Sequence, residues 1–141
     1  MRINRSVRVV AAGAIAAASL VSTAVSAAGM DGSSNIVCTV ADVVGCAEAG
    51  GCVEGTAKSF DLPEFMILDA EKKVIRATYE SGHKGVSPVK NLERSKDHLL
   101  LQGVENGRGW DIAINTKTGR MSASAVGDAV SFLAFGACTA L

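Results

Sequence analysis

Aromatic side chains are scarce in this chain: one Trp, one Tyr and four Phe among 141 residues. Its core must be built mainly from Val, Ile, Leu and Ala, and cross-links would add considerably to what such a core supplies. Clustered positive charge is also missing. Lys72-Lys73 is the sole adjacent basic pair and reads as a solvated turn, so no electrostatic feature invites nucleic acid or an anionic membrane. There is no Cys-x-x-Cys, and the gaps of seven and five residues between Cys38, Cys46 and Cys52 match neither a zinc knuckle nor a zinc ribbon. His83 and His98 lie far from the cysteines and have no paired ligand at helical spacing. Neither a metal nor a cofactor is expected.

What is present begins at the amino terminus. Arg2, Arg5 and Arg8 precede an uncharged run from Val9 to Met30 that ends near the small residues Val25-Ser26-Ala27. Charge, apolar core and small-residue cut site in that order specify a secretory signal peptide. The run is long enough to span a bilayer, but it is dominated by Ala, Ser and Gly, and no positive stop-transfer cluster follows. Asn35-Ile36-Val37 ahead of Cys38 places no small residue where a lipoprotein needs one. The sequence predicts a signal peptide over 1–27, cut after Ala27 or Ala28, a flexible mature terminus over 28–35, and one disulfide-stapled β domain over 36–141. No stable membrane span remains after cleavage. Cutting behind Ala27 leaves 114 residues, which suits a single small domain, and removes three of 14 basic residues but none of the 14 acidic ones, for a net charge near −3.

Export makes disulfides the natural state of Cys38, Cys46, Cys52 and Cys138. Cys46–Cys52 is favoured because Ala47-Glu48-Ala49-Gly50-Gly51 between them can turn sharply. Cys38–Cys138 would then tie the start of the domain to its end. The pairing Cys38–Cys46 with Cys52–Cys138 stays open.

Along the mature chain, Val40 to Cys46 predicts a short helical turn. Beyond Gly55 the pattern becomes β. Phe65-Met66-Ile67-Leu68, a turn at Asp69-Ala70-Glu71-Lys72, and alternation from Lys73 to Tyr79 form a hairpin. Ser81 to Pro88 reads as a loop, and Val89 to Arg94 as a polar edge strand. Leu99-Leu100-Leu101 opens another strand, Asn106-Gly107 marks a hairpin turn, and Trp110, Ile112 and Ile114 share one face of the next strand. Asn115 to Gly119 turns the chain again before Met121–Val126 and Ala129–Phe135. Seven or eight short strands with little helix specify an all-β fold, a small antiparallel meander closing as a barrel or stacking as a sandwich.

Few residues are candidates for chemistry. Asp97 and His98 are neighbours along a strand and point to opposite faces. His83, in Ser81-Gly82-His83-Lys84-Gly85, reads first as a solvated loop histidine. Gly103 to Gly109 neither follows a buried parallel strand nor opens a helix, as a phosphate cradle requires. The pairs Asp61 with Glu64 and Asp69 with Glu71 sit at turns, where carboxylates are usually just hydrated. Asp31 to Asn35 lacks the carboxylate density of a calcium loop. Trp110 is a core residue whose amphipathic indole can also line a ligand site at a barrel mouth. No nucleophile, base and orienter assemble, so no catalytic residue is expected. Trp110, His83 and His98 are the candidate ligand-binding residues.

The order Cys38-x7-Cys46-x5-Cys52, Leu62-Pro63-Glu64-Phe65, a Thr118-Gly119 hairpin and a closing Phe135-Gly136-Ala137-Cys138-Thr139 resembles a group of small cysteine-containing exported proteins of proteobacteria. That group has no assigned activity, so the resemblance implies a periplasmic address and carries over no site residue. Cysteine-stapled β-barrels that inhibit lysozyme are similar in size and address, at the level of fold alone. The expected function is a periplasmic or secreted, non-enzymatic binding module with a protein or small-molecule partner in the cell envelope. The alternatives are an inhibitor of an envelope-directed hydrolase such as lysozyme, and a carrier of a small apolar ligand.

Overall fold

Alternation of apolar and polar side chains carries most of the domain into strands. The computed structural model describes residues 29–141, so the expected signal peptide lies outside the described residues. Nine strands occur among them: β1 (Ile36–Ala47), β2 (Gly51–Gly55), β3 (Phe65–Asp69), β4 (Val74–Ala77), β5 (Val86–Arg94), β6 (His98–Glu105), β7 (Arg108–Asn115), β8 (Arg120–Val126) and β9 (Val130–Ala140). Strands β3 to β9 form an antiparallel meander, and β1 pairs with both β3 and β9. Eight strands thereby close into a barrel, which decides the choice between barrel and sandwich. Strand β2 is the ninth, attached to the outer half of β1. Helix among the described residues is confined to two 3-10 turns, Ala57–Phe60 and Tyr79–Ser81, and no helix there is long and apolar enough to cross a membrane.

The helical turn expected over Val40 to Cys46 is absent; those residues belong to β1. The cause is a β-bulge between Val40 and Asp42 in the pairing with β9. Ile36, Cys38 and Val40 are buried on the even phase, whereas Val43 is buried on the odd one. The extra residue gives Val40 and Val43 the three-residue spacing of a helix face while the chain stays extended. A second bulge, between Val89 and Asn91, does the same for Val89 and Leu92. The edge strand expected over Val89 to Arg94 is also corrected: β5 lies within the barrel wall, between β4 and β6, and begins at Val86. Pro88 sits next to that bulge, where a missing N–H is tolerated.

Both disulfides join directly opposed residues on neighbouring strands. Cys38–Cys138 links β1 to β9, and Cys46–Cys52 links β1 to β2, each with Cα atoms 4.0 Å apart. The bulge puts the first inside the barrel and the second on the outer phase of β1.

The two ends of the barrel differ. At the lower end, which carries the β3–β4, β5–β6 and β7–β8 turns, Ile36, Leu68, Leu99, Leu101, Ile114 and Met121 fill the interior. Met30 completes this packing with 1% of its surface exposed. The segment expected as a flexible terminus thus lies against the barrel, held also by the Arg94 Nε–H donating to the Asp31 carbonyl at 2.8 Å. The upper end carries the β6–β7 turn, where Asn106 (φ 50°) and Gly107 (φ 74°) both adopt the left-handed conformation of a tight hairpin.

Candidate functional site

Several inward positions of the upper half carry small side chains. Ser87 on β5 and Ala123 and Ala125 on β8 share the inward phase with Leu92 and Met121 lower down, and Ala134 on β9 adds another small wall position. The space they leave is a cavity of about 250 Å³, partly open to solvent. Its apolar wall includes Val40, Met66, Ile75, Trp110, Ile112 and Phe132. Leu62 and Pro63 cover one side, where β1 leaves β3 to pair with β2. Glu105, Asn106 and Arg108 from the β6–β7 hairpin stand at the rim.

Trp110 is placed by a missing side chain. It lies opposite Gly103 across β6 and β7, and a Cβ on Gly103 would fall 2.2 Å from the indole Cζ2 and 2.7 Å from the Pro88 carbonyl oxygen. The indole therefore lies flat on the glycine backbone, an aromatic covering a bare strand position. Its Nε1–H donates to the Ser87 Oγ at 2.9 Å, which satisfies the polar end of the ring. Phe60, from the first 3-10 turn, fills the space over Gly45 and Gly55 on β1 and β2 and meets Phe132 edge-on at 5.8 Å. That turn is fixed by a capping box: the Thr56 N–H donates to the Ser59 Oγ at 2.9 Å, and the Ser59 N–H to the Thr56 Oγ1 at 3.4 Å. The β1–β2 hairpin is thus packed onto the mouth through Phe60.

The three candidate residues are not brought together. Trp110 lines the cavity. His83 lies in the loop before β5, its Nε2 4.0 Å from the Asp61 carboxylate, and is not part of the cavity wall. His98 is exposed at the start of β6, at the opposite end of the barrel. Asp97 pairs not with its neighbour His98 but with Lys117, at 2.8 Å. Among the described residues no three His, Cys, Asp or Glu side chains converge to hold a metal ion, and no cysteine is free. Leu62, Met66, Ile75 and Phe132 had no sequence signal as a group, because their convergence depends on barrel closure. Comparison of the chain with protein-family models, curated proteins and solved structures finds no match.

A broader depression of about 310 Å³ lies between the β1–β2 and β8–β9 turns, bordered by Glu48, Gly127 and Asp128. It is more open to solvent and presents much less apolar surface. The Trp110 cavity is the better container. It exceeds the ~150 Å³ at which an apolar cavity already accepts benzene and approaches the ~300 Å³ lower end of ordinary ligand pockets.

Proposed function

We propose that the protein is an exported, non-enzymatic binding module that takes a small apolar group into the upper end of its barrel. The observation that carries this reading is the contrast between the ends: large side chains fill one, while the other keeps an apolar cavity walled by Trp110, Met66, Ile75 and Phe132. A space of this kind stabilises a bound apolar group by removing its surface from water. The polar rim at Glu105, Asn106 and Arg108 leaves the entrance hydrated. Two disulfides, the basic and then uncharged leader, and the resemblance to exported proteobacterial proteins support an oxidising compartment such as the periplasm.

Trp110 is the chain's one tryptophan, so its emission reports on this cavity alone. Titration with 3-phenylpropan-1-ol is expected to change that emission saturably. At roughly 0.4–0.6 kcal/mol per heavy atom, such a probe of about ten heavy atoms binds with a Kd of about 0.04–1 mM. Ala125→Leu, which fills the space, should abolish the change while the fold melts normally. No saturable response in the wild type, or an unaltered one in Ala125→Leu, would refute the assignment.

A further inference from the structure

The rim of the cavity is electrically asymmetric. Arg108 opens β7 and Glu105 ends β6, directly across the hairpin, yet they form no ion pair with each other. Arg108 leans toward the β8–β9 turn: a Cβ on Gly127 would meet its Cγ at 3.1 Å and its Nε at 3.4 Å. Its guanidinium lies 5.9 Å above the centre of the Phe132 ring, and Phe132 is itself a wall of the cavity. Glu105 leans the other way, its Oε1 3.7 Å from where a Cβ on Gly85 would stand. The third charged residue of the lining, Asp111, already accepts a hydrogen bond from the Ser124 hydroxyl at 2.7 Å. Among the described residues Arg108 has no carboxylate partner, and its guanidinium is steadied by an aromatic face rather than by a counter-ion.

We propose that the ligand is a small amphiphile with an anionic head, and that Arg108 receives the head while the apolar body enters beside Trp110. This rests on the reading above that the cavity takes an apolar group, and it adds the chemical class. A guanidinium presents a planar fork of N–H donors that a carboxylate can engage with two oxygens at once. Positioning over Phe132 lowers the conformational entropy lost when the head binds. The placement of Glu105 on the opposite side of the entrance leaves the approach to Arg108 free of a competing carboxylate.

The test uses three probes that share one body, 3-phenylpropanoate, 3-phenylpropan-1-ol and 3-phenylpropylammonium, measured by titration calorimetry against the mature protein. The anion should bind about five- to tenfold more tightly than the alcohol, as a charge-assisted contact at a solvent-exposed rim would give, and the ammonium probe more weakly than either. In Arg108→Gln the ratio of anion to alcohol affinity should fall to about one to two, and Arg108→Lys should recover part of it. Added salt should shrink the ratio in the wild type. If the alcohol binds and the anion gains nothing, or if the ratio survives Arg108→Gln, the anionic head is wrong and the apolar cavity stands. Failure of all three probes would overturn the cavity as a binding site, and the head with it.

Discussion

At the scale of single residues, the site depends on what Gly103 lacks. Any side chain there collides with Trp110 and the Pro88 carbonyl, so Gly103→Ala should displace the indole and destabilise the fold by about 1–3 kcal/mol. Urea unfolding measures the cost, and a shift in the emission of the native state reports the displacement. At the other end Met30→Ala should cost about 2–5 kcal/mol, since it empties a fully buried position. Asp69 provides a pH signature. Its carboxyl accepts a hydrogen bond from the Lys72 N–H at 2.9 Å, with the Lys72 ammonium 3.3 Å away, and these hold it below its ordinary value of 3.8. A carboxylate lowered in the folded state favours folding fully above its unfolded value. That contribution is lost as acidification passes from there through the folded value. Asp69→Asn should therefore lose part of the acid sensitivity of stability below about pH 4, measured by thermal melts across that range.

At the scale of elements, β1 shows where a sequence pattern has two readings. Val40, Val43 and Val44 have the spacing of a helix face, and the same spacing arises when one extra residue enters a strand. Only the pairing with β9 tells them apart, and that partner lies more than 80 residues away in the chain. Val89 and Leu92 pose the same ambiguity in β5. Hairpins closed by local chemistry were legible for the converse reason: Asn106-Gly107 and the Asp69 turn are specified by adjacent residues. Trp110, Ile112 and Ile114 also share a face as their alternation predicts. The cavity was not legible, because it depends on small residues from β5, β8 and β9 converging once the barrel has closed. Deletion of Ala41 should make β1 regular: Val40 and Val43 would stand two positions apart, both still facing the core, with Val43 still opposite Ala134. Amide protection across β1 and β2 is therefore expected to survive in that variant, while its loss there would contradict Ala41 as the extra residue of the bulge.

At the scale of the whole molecule, the two disulfides stabilise unequally. Cys38–Cys138 spans a sequence separation of 100 and closes the barrel, whereas Cys46–Cys52 spans 6 within a hairpin. Chain entropy alone assigns about 4–5 kcal/mol to the first and about 2 kcal/mol to the second. Urea unfolding of Cys38→Ala with Cys138→Ala should therefore show a larger loss than Cys46→Ala with Cys52→Ala. The intact mass of protein recovered from an exporting host should correspond to a chain starting at residue 28 or 29 and lacking four thiol protons. The most direct test of a barrel with one filled and one open end is amide chemical-shift mapping during titration with 3-phenylpropan-1-ol. The account predicts saturable shifts at the Trp110 indole N–H and at the Ser87, Ala125 and Phe132 amides, with Met30, Leu99 and Ile114 still. Shifts centred on the Met30 end, or scattered over the outer wall, would contradict it.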